Sequence, residues 1–141
     1  MTIKYPNGVA STNRHMKPRK VAKHKKRGTG PEQLIQRGII EVLTMAGHHV
    51  WRINVGKVKM EDGRMFSAGP QAGFPDICGY RKSDGKMFFI EVKTKTGKRR
   101  PAQEYFAKEI ARDPVIYGVA RSAEEVLMIV TKGLNRTEDV K

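Results

Sequence analysis

The residues with the clearest chemical potential lie between positions 73 and 93, in the run GFPDICGYRKSDGKMFFIEVK. It holds one carboxylate at Asp76, a second at Glu91, and an ammonium at Lys93. Residues 87–93 read as a strand, on which side chains alternate between faces. Glu91 and Lys93 therefore share one face, and Ile90 and Val92 the other. Asp76 begins a shorter strand, 76–80, and the turn Ser83-Asp84-Gly85 folds one strand back on the other. A turn centred on Asp84 sets residue 91 beside residue 77, so that Asp76 meets Glu91 with Lys93 just beyond.

Two carboxylates and an ammonium at adjacent strand ends form a coherent site. Hard cations such as magnesium take oxygen ligands, often one or two carboxylates completed by water and substrate phosphate. A bound cation polarises a phosphoryl oxygen and acidifies a coordinated water. The lysine can orient that water or stabilise charge developing on the phosphate. Without a cation the two carboxylates repel, and one tends to keep a proton. The plainer alternative is a turn aspartate and the solvated face of an edge strand. Three features favour the site: charges end a strand apolar enough to be central, Gly73 and Pro75 frame Asp76, and the surrounding chain is strongly positive.

The elements that must position these groups follow from periodicity and punctuation. Thr29 or Gly30 can cap a helix over 31–46, with Pro31 in its first turn and Glu32 at the positive end of its dipole. Ile35, Ile39, Val42, Leu43 and Ala46 recur at helical spacing, and Gly47 is a stop. Residues 49–55 alternate as a first strand, with Arg52 and Asn54 on one face and Trp51 expected in the core. The turn Glu61-Asp62-Gly63 joins 57–60 to 64–66 in a hairpin, whose Lys57, Lys59 and Arg64 suit DNA or a subunit contact. Pro101 opens a helix to about 112, residues 115–119 make a strand, and Ser122 with Glu125 is a capping box for a last helix ending near 132. This order predicts an α/β sandwich, a mixed sheet flanked by helices. His48 and His49 are expected to be structural or solvated, and Cys78 a small buried residue.

Charge divides the chain into three parts. Residues 1–30 hold nine of the lysines and arginines and no acid, giving +9 of the net +14. With little to bury, they are expected to form a flexible basic arm, in which Lys25, Lys26 and Arg27 contact phosphates; a nuclear-address signal is the rival. Residues 31–132 form the folded domain and 133–141 a tail. A charge of +14 points to a polyanion, without separating DNA, RNA and anionic lipid. The loop 93–100 carries five lysines or arginines, so Lys95, Lys98, Arg99 and Arg100 are candidate phosphate contacts together with Arg52. No apolar run reaches the roughly 20 residues of a bilayer span, and no apolar core follows the basic N-terminus as in a secretory signal. A single cysteine excludes an intrachain disulfide and fits a reducing compartment, and the scattered histidines lack zinc-site spacing. TGK at 96–98 lacks the remaining residues of a phosphate-binding P-loop. No small-molecule organic cofactor is expected.

The segment resembles the core of the PD-(D/E)XK nuclease superfamily and, within it, the VRR-NUC (virus-type replication-repair nuclease) family. The likeness rests on the early helix with Glu32, GFPD at 73–76, IEVK at 90–93, Gln103 in the next helix, and VARSAEEV at 119–126. It spans roughly residues 31–130 and implies the restriction-endonuclease-like sandwich. It further implies a metal held by Glu32, Asp76, Glu91 and the Val92 carbonyl, with Lys93 as catalytic lysine. Gln103 would hydrogen-bond within the site, placing the water or a carboxylate.

The resulting expectation is a DNA endonuclease using Mg2+ or Mn2+ and leaving 5′-phosphate and 3′-hydroxyl ends. By family analogy it is a homodimer cutting branched DNA such as four-way junctions during replication, recombination or repair. It would act inside the cell, at the nucleoid of a bacterial host if phage-encoded, and independently of membranes. The alternatives are a basic nucleic-acid-binding protein without catalysis and a ribosome-associated protein.

Overall fold

The computed structural model of the chain describes residues 30–54 and 56–135. The expected basic arm with Lys25, Lys26 and Arg27, the strand residue Val55, and the tail beyond Asn135 lie outside the described residues. The elements are α1 (Pro31–Met45), β1 (His49–Arg52), β2 (Gly56–Lys59), β3 (Met65–Ala68), β4 (Ile77–Tyr80), β5 (Met87–Val92), α2 (Pro101–Ile110), β6 (Ile116–Ala120) and α3 (Ala123–Lys132).

Helix α1 starts at Pro31 because proline sacrifices no hydrogen bond there, and it ends where Gly47 adopts φ +88°. Its apolar stripe buries Ile39 and Leu43 completely. Helix α3 opens on the expected cap, with the Ser122 hydroxyl accepting from the Glu125 N–H, but the box is not closed: the Glu125 carboxylate accepts from the N–H of Arg121, one residue before the cap, rather than from that of Ser122.

The main sheet has the order β1-β4-β5-β6, antiparallel except for the parallel β5–β6 pair. Alternation sorts its side chains between two helical layers. Phe88, Ile90 and Val92 of β5 pack with Ile77, Ile116 and Ala120 into a core completed by α1 and α3. Phe89 and Tyr117 point the other way, into a smaller core with Phe74 and with Phe106 and Ala107 of α2. The expected α/β sandwich with a mixed sheet results, here in three layers, and β5 is a central strand as its apolar run predicts. Each fully buried aliphatic or phenyl side chain contributes about 1.5–3 kcal/mol. Two glycines permit the close packing. A Cβ on Gly79 would lie 1.9 Å from the His49 carbonyl oxygen, and one on Gly118 would lie 2.7 Å from the Ile129 side chain.

Three expectations are corrected. The β4–β5 register pairs Ile77 with Ile90, one residue away from the pairing of 77 with 91. The Asp84 carboxylate holds the Arg81 guanidinium and the Lys86 N–H, and the Arg81 N–H donates to the Lys86 carbonyl, so four residues rather than three form the loop. Continued by one residue, this register sets Asp76 directly across from Glu91. Trp51 is not in the core: it is 50% exposed, because α2 covers the β5–β6 side of its sheet face and stops short of β1. Strand β1 ends at Arg52 rather than reaching residue 55, although the Ile53 N–H still donates to the Asp76 carbonyl at 2.8 Å.

β2 and β3 form a separate two-stranded sheet, joined by the expected turn, in which the Asp62 carboxylate engages Arg64. Its Val58, Met65 and Phe66 side chains are all more than half exposed. Among the described residues no helix is long and apolar enough to cross a membrane.

Candidate active site

The carboxyl end of β5, the amino end of β4 and the first turns of α1 and α2 converge on a cleft of about 530 Å³. Glu32 enters it from the first turn of α1, and Gln36, one turn later and buried, lies beside it. Arg52 and Asn54 come from the end of β1, and Asp76 from the approach to β4. Lys93 follows β5, and Arg100 and Gln103 belong to the start of α2. The wall at 72–74 closes against α2 through Gly73, which has φ +89° and whose hypothetical Cβ would lie 2.3 Å from the Ala102 carbonyl oxygen. Any side chain there is both strained and obstructed.

Asp76, Glu91 and Lys93 are brought together. Asp76 is fixed on β5 by its Oδ2, which accepts the Val92 N–H at 2.9 Å. Glu91 is 1% exposed and does not itself line the cleft; it sits behind Lys93 and Gln103, which do. Its Oε1 accepts from the Lys93 ammonium at 3.2 Å and from the Gln103 side-chain amide at 2.7 Å. Gln103 is held in turn, since its Oε1 accepts the Arg100 N–H at 2.7 Å. One side chain thus caps α2 and tethers a buried carboxylate.

Glu91 Oε2 is buried without a hydrogen-bond partner among the described residues. Burial first, and then the neighbouring Asp76 carboxylate, push the Glu91 carboxyl up to about 8, with Lys93 pulling in the opposite direction. A buried acid beside another acid, with an oxygen still unmatched, has a natural complement in an added cation.

The remaining expected residues are more dispersed. Glu32 lines the cleft from α1, but no three His, Cys, Asp or Glu side chains stand together as a ready-made metal set among the described residues. Val92 is fully buried and meets Asp76 through its N–H. Arg52 and Arg100 line the cleft, Lys95 and Lys98 are exposed on the following loop, and Arg99 there is half-buried.

Two further residues were missed by sequence reasoning. Gln36 had a signal: it stands four residues after Glu32 and three before Ile39, a polar residue in the buried stripe of α1. Arg121, just after β6, stands in the stretch VARSAEEV that carries the family likeness, but nothing there singles it out. Its guanidinium donates to the carbonyls of Thr94 and of Gly97, the latter at 2.8 Å, and so shapes the basic loop from behind.

This arrangement agrees with what the chain is similar to. The family described as the VRR-NUC domain matches residues 31–124. A solved structure titled "VRR_NUC domain" superposes with a TM-score of 0.53 at 20% identity, covering 72% of this chain and 95% of that one, which shows a shared fold. Comparison with curated protein sequences gives no match. Since the family match takes in α1, every strand of the main sheet, α2 and the opening of α3, the chain belongs to the VRR-NUC domain family, a family of nucleases.

Proposed function

We propose that the protein is a metal-dependent DNA endonuclease of the PD-(D/E)XK type, with Asp76, Glu91 and Lys93 at its centre. The observation that carries this reading is the buried Glu91 carboxylate, tied through one oxygen to Lys93 and Gln103 and unmatched at the other. The donor set fits a hard divalent cation, Mg2+ or Mn2+, with Asp76 and Glu91 as ligands. The family resemblance adds Glu32 and the Val92 carbonyl. When bound, the cation would neutralise the carboxylates and polarise the phosphodiester.

The chain's own groups supply the rest. Lys93 offers an ammonium at the cleft for the charge that develops on the phosphate, or for holding the attacking water. Gln103 fixes Glu91 and spares it a search for its working rotamer. The positive ends of α1 and α2 both face the cleft and favour a phosphate there. Arg52 and Arg100 flank it, and Lys95, Lys98 and Arg99 extend the basic surface along the loop. Lys25, Lys26 and Arg27 of the N-terminal arm would add further phosphate contacts.

The proposed substrate is branched DNA, including four-way junctions, cut by a homodimer whose two sites address two strands. The exposed Val58, Met65 and Phe66 of the β2–β3 hairpin supply apolar surface for a second copy. The single cysteine, Cys78, is free and buried, which fits an intracellular setting. The deciding experiment incubates the protein with linear duplex, flap, splayed-arm and four-way-junction DNA and each metal, then maps the cuts. Cutting of branched forms with Mg2+ or Mn2+ is expected. Binding without cutting of any form would leave a non-catalytic binding protein.

A further inference from the structure

The sheet face that carries Asp76 and Glu91 is organised in cross-strand rows. Ile53, Asp76, Glu91 and Val119 form the row at the cleft. Trp51, Cys78, Phe89 and Tyr117 form the next row, and His49, Tyr80 and Met87 the one beyond. Helix α2 and Phe74 cover Phe89 and Tyr117 but leave the β1–β4 side open. There the His49 ring stacks on Tyr80 with centroids 4.5 Å apart and planes 18° from parallel, and Trp51 lies 5.9 Å from Tyr80 at a tilt of 45° and 6.3 Å from His49 at 27°. Trp51 is 50% exposed, and Tyr80 and Met87 36% each. Cross-strand pairing accounts for the contact of His49 with Tyr80. It leaves half of the indole in solvent with nothing to do.

We propose that these three rings form a shelf that stacks the bases of an unpaired DNA strand running into the cleft. The proposal rests on the nuclease reading and deepens it by naming the form of DNA held beside the cut. Flat aromatic side chains on an open sheet face bind bases whatever their sequence, because every base has a π-face. The shelf is continuous with the cleft. Trp51 is two residues from Ile53 on the same face of the chain, roughly 7 Å along the strand, or about two nucleotides of stacked DNA. Arg52, the next residue of β1, lines the cleft together with Lys93 and Arg100, so cations meet the phosphates where the shelf ends. A chain of net charge +14 attracts such a strand before any ring touches it. A bare duplex keeps its bases stacked on one another and cannot use the shelf. Among the branched forms, flaps and splayed arms, which carry unpaired bases next to the cut, are therefore preferred over the fully paired four-way junction.

The test uses the full chain in chelator, so that binding is read without cutting. Single-stranded DNA carrying 2-aminopurine is titrated with the wild type, with Trp51→Leu, which keeps apolar bulk but removes the ring, and with Trp51→Phe, which returns a ring. The wild type should quench the 2-aminopurine, and Trp51→Leu should weaken single-strand binding about tenfold. Trp51→Phe should recover most of that loss, and duplex affinity should be the same for all three. Equal single-strand affinity of Trp51→Leu and wild type would overturn the proposal. So would parallel losses on single strand and duplex, quenching confined to a ribonucleotide strand, or a dimer that Trp51→Leu converts to monomer in sedimentation, since a second copy would then occupy the shelf. Quenching by a protein that never cuts DNA supports the shelf while removing the nuclease reading; cutting with unchanged Trp51→Leu affinity removes the shelf alone.

Discussion

Glu91 is the residue on which the site turns, because a carboxyl that is 1% exposed resists ionising. Burial, and then the neighbouring Asp76 carboxylate, push its carboxyl up to about 8 from its ordinary 4.5, so the folded state holds a proton that the unfolded chain releases. The stability this contributes is fully present below about pH 4.5 and is lost as pH rises through about 8. Thermal melts in chelator should show the wild type losing ground to Glu91→Gln between pH 5 and 8; parallel curves would mean that Glu91 ionises freely. Gln103 acts through Glu91, and Gln103→Ala should slow cutting roughly 10- to 100-fold with little change in DNA affinity, as single-turnover rates would reveal. Asp76, Glu91 and Lys93 were legible from sequence because strand alternation leaves few choices of face. The grip of Gln103 on Glu91 was not, since it depends on how α2 docks. Gln36 lay hidden in the same way, as an interruption in a helical stripe.

Among the elements, the loop after β5 shows how scaffold and chemistry connect. Arg121 pins it by donating to the Thr94 and Gly97 carbonyls, close behind Lys95 and Lys98. Arg121→Met should free the loop, raising the Kd for DNA severalfold, yet leave the salt dependence unchanged because no phosphate contact is removed. A shallower salt slope would mean that Arg121 itself touches the backbone. Gly79 makes a stability prediction at the β1–β4 seam: Gly79→Ala sets a methyl against the His49 carbonyl and the Phe88 ring, costing about 3 kcal/mol or more in denaturant unfolding. The helices and strands were readable from caps, turns and periodicity. The one-residue register error was not, since it hinged on how Asp84 grips Arg81 and Lys86. The placement of Trp51 depended on where α2 stops, which no local pattern records.

Over the whole molecule, the net charge of +14 makes DNA affinity a matter of salt. Replacing Lys95 and Lys98 together by alanine should lower the slope of log K against log[salt] by about two, if each neutralises one phosphate. An unchanged slope would move the DNA path away from this loop. The central claim is that the Asp76–Glu91–Lys93 cluster cuts phosphodiester bonds with a divalent cation. It is tested most directly by single-turnover cleavage of a four-way junction and a flap in Mg2+, in Mn2+ and in chelator, with wild type, Asp76→Asn and Lys93→Met purified in parallel. The expected result is cutting by the wild type only with metal, a drop of roughly 100-fold or more in each variant, and DNA affinity retained in all three. Cutting that persists at the wild-type rate in either variant would contradict the claim.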